Sequence, residues 1–197
     1  TVPGADLKGV LELRTLADVD ALKLLAAPGA RLVVVGAGYI GLEAAAVGAQ
    51  LGLKVTVLEA MPQVLSRVAG AEIGAFYTCV HRAAGSDVRL GARLEGFDGS
   101  GQISGVRLAG GEILPCDVAL VGIGVLPNLE LALDAGLVCG NGVVVDAQGR
   151  TSHPDVHAAG DVAWRPLVHF GREGRLESVH NAIEGGKIAA AAMLGAA

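Results

Sequence analysis

An α/β fold built around a parallel sheet is predicted by three observations. Arg31 to Val35 is an apolar, β-branched run without alternation, the pattern of a strand buried on both faces. A glycine-rich turn, a stretch with helical apolar spacing and a second strand-like run, Lys54 to Leu58, follow it in order. Hydrophobic residues make up 52% of the 197 residues and aromatics only 3%, with 30 glycines, which suits a core of Val, Leu, Ala and Gly.

The elements follow in chain order. Residues 1 to about 28 read as a loop and a short helix, with Asp18 as the expected N-cap. Pro28-Gly29 punctuates the entry to the first strand. Gly36 allows the tight turn out of that strand. Gly38 has no side chain, so a pyrophosphate can approach the backbone, and Gly41 lets the next helix pack closely on the strand. Tyr39 and Ile40 open that helix, expected over Tyr39 to Leu51 with Ile40, Ala44, Val47 and Leu51 in helical spacing. Its N-terminus offers free N–H groups and a partial positive charge to phosphates. Glu59 closes the second strand at about the ~20-residue distance expected of an acid that accepts hydrogen bonds from a ribose. Strand, glycine turn, helix, strand and acid together predict a Rossmann-like dinucleotide site. The Glu59 carboxylate selects NAD, because it would repel the 2′-phosphate of NADP. Arg67, eight residues on, has two readings: a partner for the adenosine half of the nucleotide, or a solvated helix arginine.

Beyond Glu59, Pro62 is placed at a helix start. Ala71 to Ala84 reads as a longer helix with Ile73, Phe76, Val80 and Ala83 on one face. Strand patterns around Val88-Leu90, Arg93-Phe97 and Ile103-Leu108, separated by Gly-rich turns, predict a β-meander inserted as the crossover. Asp117 to Val121 reads as a buried strand returning to the sheet, followed by Gly122-Ile123-Gly124. Ligands of parallel sheets bind at the carboxyl ends of the strands, so this second glycine cluster is expected to face the same ligand as the first. From Pro127 the composition changes. Gly142 to Asp146 and Asp155 to Ala159 read as short strands, Gly160-Asp161 follows, and Ser178 to Leu194 reads as an Ala-rich helix.

Other classes of function find little support. Net charge is −5 with no basic patch, which argues against nucleic acid. No apolar run reaches the ~18 residues of a membrane span, and no charged-then-apolar leader opens the sequence. Cys79, Cys116 and Cys139 form no CxxC pair and read as reduced thiols of a cytoplasmic protein. His153 and His157 are separated by Pro154, which breaks any helix that would aim both at one metal. No metal site is expected.

Taken in order, several stretches resemble the two-dinucleotide flavoprotein reductases, and more narrowly the NADH-dependent ferredoxin reductases that feed oxygenases. They are Leu13-Arg14-Thr15-Leu16, Val34 through Glu43, Gly122-Ile123-Gly124 with Pro127-Asn128, Thr151 through Asp161, Arg175-Leu176-Glu177-Ser178 and Asn181-Ala182. The resemblance implies a three-layer NAD-binding domain over residues 13–125, inserted into a split FAD-binding domain. Residues 1–12 would end the first FAD segment and 126–197 would form the second. It implies that Asp161 holds a ribityl hydroxyl, that Gly160 admits the pyrophosphate, that Glu43 lies near the nicotinamide and that the Val179 backbone lies near the flavin ring. Hydride would pass from NADH to FAD, and electrons singly to a ferredoxin-type 2Fe–2S protein. No acid, base or nucleophile of the chain is needed for that transfer, so no catalytic side chain is expected. The first FAD fingerprint and the C-terminal domain of such reductases have no counterpart, so the chain is expected to be a fragment. Gly185-Gly186 departs from the Gln usual there, which weakens the helix because Gly costs ~1 kcal/mol in its interior. Two alternatives stay open: a related reductase acting on a disulfide, peroxide, rubredoxin or nitrite, and a nucleotide-binding module without turnover. The sequence says nothing of oligomeric state.

Overall fold

The structure is a computed structural model that describes residues 2–196. The chain divides into two compact units, one ending at Gly124 and the other starting at Val125.

The first unit is layered on a parallel sheet. Its elements are β1 (Val10–Leu11), α1 (Leu16–Leu25), β2 (Arg31–Val35), α2 (Tyr39–Gln50), β3 (Lys54–Glu59), α3 (Ala71–Ala83), β4 (Asp87–Leu90), β5 (Leu94–Ser100), β6 (Gln102–Leu108), β7 (Ile113–Pro115) and β8 (Val118–Val121). The strand order is β1-β8-β2-β3-β4, every pair parallel. One face, through Leu32, Val34, Val55, Val57 and Leu120, packs on Leu42 and Ala45 of α2 and on Leu22 and Leu25 of α1. The other face, through Val33, Val35, Leu58 and Ala119, packs on Phe97, Ile103, Val106 and Leu114 of the antiparallel β5-β6-β7 sheet. Alternate residues of β2 therefore feed opposite cores, which is why that strand reads as an unbroken apolar run. Arg31 and Asp117 tie the amino ends of β2 and β8 together: the Arg31 N–H and Nε donate to Asp117 Oδ2 at 2.8 and 2.9 Å. That pairing holds the Asp117 carboxyl well down, at about 2.

Several boundaries and faces differ from the sequence reading. The N-cap of α1 is Thr15, not Asp18. Asp18 is the third helical residue of a capping box, accepting the Thr15 N–H while Thr15 accepts the Asp18 N–H. In α2 the buried face is Gly41, Leu42, Ala45 and Gly48, whereas Ile40, Val47 and Leu51 are exposed. Small residues win that face because the helix lies close on the sheet; a Cβ on Gly48 would stand 2.8 Å from the Leu32 side chain. The same shift occurs in α3, which meets its unit through Gly74, Thr78 and His81 and leaves Ile73, Phe76 and Val80 exposed. Pro62 starts no helix. Residues 60–69 run as turns, and Leu65 at φ +55 diverts the chain from a helical path. Val88-Leu90 belongs to the parallel sheet as β4, with Val88 buried opposite Val57, so the third strand of the meander is β7 instead. The short β1 and β7 lacked enough residues to show a period.

The second unit contains α4 (Glu130–Asp134), β9 (Cys139–Gly140), β10 (Gly142–Val144), β11 (Ala163–Leu167), β12 (Arg172–Gly174) and α5 (Val179–Met193). Its sheet order is β12-β11-β10-β9, over a small core of Val143, Val145 and Ala163. Ser178 caps α5 by accepting the Asn181 N–H. Asp155 to Ala159 is not a strand, and only an isolated bridge joins His157 to Arg150. The local turn uses up its backbone groups: the Thr151 hydroxyl donates to the Val156 carbonyl at 2.9 Å and accepts the His153 N–H at 3.1 Å. No helix among the described residues is long and apolar enough to cross a membrane.

Candidate functional site

The site in the first unit is assembled at the carboxyl ends of β2, β3 and β8. Gly36 leaves β2 at φ +102, where an L side chain is strained. A Cβ on it would also stand 2.5 Å from the Gly122 carbonyl oxygen. The two glycine clusters thus touch through bare backbone. A Cβ on Gly41 would collide with the Gly36 carbonyl, so α2 can approach the turn this closely only with glycine there. Gly38 is different: nothing lies within 4 Å of where its Cβ would be. It is the N-cap of α2, has no side chain to satisfy the first N–H groups, and no acidic residue stands in the first turn. Those donors and the positive helix end remain open to an anion.

Glu59 fixes the turn from the side. Its Oε2 accepts the Ala37 N–H at 2.9 Å and its Oε1 accepts the Met61 N–H at 2.8 Å. The Ala37 carbonyl accepts the Leu65 N–H at 2.9 Å. Both polar groups of this buried alanine are therefore paired, one from each side of the glycine turn. Leu65, the sole described non-glycine residue at positive φ, is the piece that sequence reasoning missed; no residue-type signal marks a strained leucine. Arg67 lies two residues beyond it, exposed and in a turn rather than a helix. Its Nη2 donates to the Ile123 carbonyl at 2.7 Å, and its guanidinium flanks Gly124.

The eleven expected residues of this unit fall into one neighbourhood. Gly36, Gly38, Gly122, Ile123 and Gly124 form the paired turns, Gly41 packs from α2 against them, and Tyr39, Ile40 and Glu43 lie exposed on the first turns of α2. Glu59 and Arg67 hold the two turns from the β3 side. Between α2 and α3 a groove of about 650 Å³ runs past Tyr39, Glu43, Tyr77 and His81. Burial lowers the pKa of His81, which favours the neutral ring. Burial also pushes the Cys116 thiol up to about 11, so it is a poor thiolate beneath the sheet.

In the second unit Gly160 and Asp161 begin a single 3-10 turn, Gly160–Val162, with Gly160 at φ +75. A Cβ on Gly160 would stand 3.4 Å from Ala182 Cβ, so α5 lies directly behind the turn. Asp161 is exposed, and Val179 is the exposed first residue of α5. Among the described residues no group of three His, Cys, Asp or Glu is placed to hold a metal ion.

Comparison with known proteins agrees with this geometry. The family described as pyridine nucleotide-disulphide oxidoreductase matches residues 1–186. The ferredoxin reductase subunit of the 5,5′-dehydrodivanillate O-demethylase of Sphingobium sp. (strain NBRC 103272 / SYK-6) is 46% identical over 196 residues, covering 98% of this chain and 48% of the relative. The crystal structure of the ferredoxin reductase for the CYP199A2 system of Rhodopseudomonas palustris superposes with a TM-score of 0.92 at 41% identity, covering 98% of this chain and 48% of that one. The reductase of the covalent putidaredoxin reductase–putidaredoxin complex gives 0.90 at 39% identity, covering 97% and 46%. The chain spans about half the length of the curated relatives it matches.

Proposed function

Because the chain belongs to the pyridine nucleotide-disulphide oxidoreductase family, we propose that it is part of an NADH-dependent ferredoxin reductase of an oxygenase system. The observation that carries this reading is the contact of two glycine turns at one sheet edge, beside an α2 N-terminus left open over Gly38. A dinucleotide fits that opening: its pyrophosphate needs bare backbone and unpaired N–H groups, and both are present. Glu59 would accept the ribose hydroxyls through the lone pairs its two backbone bonds leave free, and its charge would exclude the 2′-phosphate of NADP. Arg67 would hold the adenosine side of the nucleotide, and Glu43 would lie near the nicotinamide.

The Gly160–Asp161 turn fits a flavin nucleotide on similar grounds. Gly160 turns the backbone at φ +75 close against α5, and the Asp161 carboxylate is exposed to accept a ribityl hydroxyl. The Val179 backbone would lie near the ring. In this reading residues 13–125 are the NAD domain, and 1–12 and 126–197 are two segments of the FAD domain. When bound, NADH and FAD supply the hydride and the one-electron chemistry. The chain's own residues bind, orient and select. The electron acceptor would be a ferredoxin-type 2Fe–2S protein. The expected compartment is the cytoplasm, in keeping with three cysteines that form no closely spaced pair.

The test is anaerobic mixing of the protein with FAD, NADH and a purified 2Fe–2S ferredoxin. Bleaching of the iron–sulfur absorbance that requires both NADH and the protein supports the reading. Reduction of a disulfide or rubredoxin instead of the ferredoxin would reassign the acceptor.

A further inference from the structure

A tightly held arginine in the second unit has no part in the roles given so far. Arg175 follows β12, and its side chain is only 11% exposed. Its Nη1 donates to the Asp161 carbonyl at 3.1 Å and reaches Glu177 Oε1 at 2.8 Å. The stem lies against the start of β10, where a Cβ on Gly142 would stand 3.0 Å from Arg175 Cδ. A guanidinium withdrawn from water this far is costly unless its charge is met, and Glu177 meets it. The bond to Asp161 is then charge-assisted and about twice as strong as a neutral one.

The 3-10 turn Gly160–Val162 has no side-chain cap of its own. Among the described residues, Arg175 is the only side chain that hydrogen-bonds to it. Within the turn, the Ala163 N–H bonds to the Gly160 carbonyl, and α5 backs it at Ala182.

We propose that Arg175 is a positioning residue for the Gly160–Asp161 turn, with Glu177 holding the guanidinium in place. By fixing the Asp161 carbonyl it sets the direction in which the Asp161 carboxylate leaves the backbone. A carboxylate so directed meets a bound flavin nucleotide in one arrangement. The functional half of this inference rests on the flavin reading of the turn; the positioning half does not.

The experiment uses the whole chain and three variants, Arg175→Gln, Arg175→Lys and Glu177→Gln. Amide hydrogen exchange without flavin is read at residues 160–163, with residues 164–167 of β11 and with α5 as internal references. FAD affinity is then read by quenching of flavin fluorescence. Arg175→Gln is expected to speed exchange at 160–163 by about tenfold while the references hold, and to weaken FAD binding by a similar factor. Arg175→Lys keeps the charge in case the glutamine variant unfolds, and it should fall between the two. Glu177→Gln should show a smaller change of the same kind. Unchanged exchange at 160–163 in both Arg175 variants overturns the inference, as does an equal rise across the whole unit. Local loosening in a chain whose unsubstituted form binds no FAD would uphold the positioning role and defeat the flavin reading.

Discussion

The Glu59 carboxylate accepts the Ala37 N–H at 2.9 Å, binding the end of the second β-strand of the Rossmann unit to the middle of the glycine turn that follows the first. Twenty-two residues separate the two in sequence, yet one side chain sets both the shape of the turn and the charge beside it. In the proposed reading, selection of the nucleotide and support of its phosphate site would both fall to this one residue.

Glu59→Ala should therefore damage two properties together. Loss of the charge should lower the preference for NADH over NADPH by about 10- to 100-fold, equivalent to about 1.4–2.8 kcal/mol. Loss of the Ala37 bond should weaken both nucleotides. Isothermal titration with each nucleotide measures the ratio and the common loss.

Gly38 and Gly41 should respond to the same substitution in opposite ways. Gly38→Ala meets open space at φ −78, so stability should change by less than about 0.5 kcal/mol while NADH affinity falls at least about tenfold. Gly41→Ala drives a methyl into the Gly36 carbonyl and should cost about 2–4 kcal/mol of stability. Thermal melts and NADH titrations of the two variants separate the effects.

His81 should make the first unit sensitive to mild acid. Burial lowers its folded pKa below 6.5, so the unfolded chain binds the proton more readily. The stability it contributes is whole above about pH 6.5 and is lost as pH falls toward the folded pKa. Hydrogen exchange of β2 and β3 amides at pH 7 and pH 5 should show the decline, and His81→Leu should reduce it.

Asp117 should act in the same direction at stronger acid. Its folded pKa of about 2 lies below the ordinary 3.8, held there mainly by the Arg31 side chain. Its contribution is present above pH 3.8 and is lost between there and about pH 2. Asp117→Asn should flatten that part of the acid unfolding curve, read at the same β2 amides. The pair is two-fifths exposed, so added salt should shrink the effect.

The parallel sheet and its glycine turn were legible because two strong signals coincide there. Residues 32–35 are apolar on both faces, and glycine at 36 and 41 answers a spacing set by backbone contact, with 38 left open at the helix end. Helix faces were less legible. In α2 and α3 the inward positions include Gly41, Gly48, Gly74, Thr78 and His81, too small or too polar to count as core, while Phe76 and Val80 point outward. Close packing reverses the usual hydrophobic reading of those helices. Pro62 suggests a helix start, and nothing local announces Leu65 at φ +55; its N–H bond to Ala37 is a tertiary fact. Arg67 shows the same limit: its spacing from Glu59 suggested a role, but its hold on Ile123 depends on β8 returning beside β2.

The most direct measurement is the visible spectrum of the protein after gel filtration with FAD, followed by anaerobic addition of NADH. A flavin band that co-elutes with the protein and bleaches with NADH, and far more slowly with NADPH, is the predicted result. A protein that elutes without flavin absorbance, or whose bound flavin stays oxidised under excess NADH, would contradict the account.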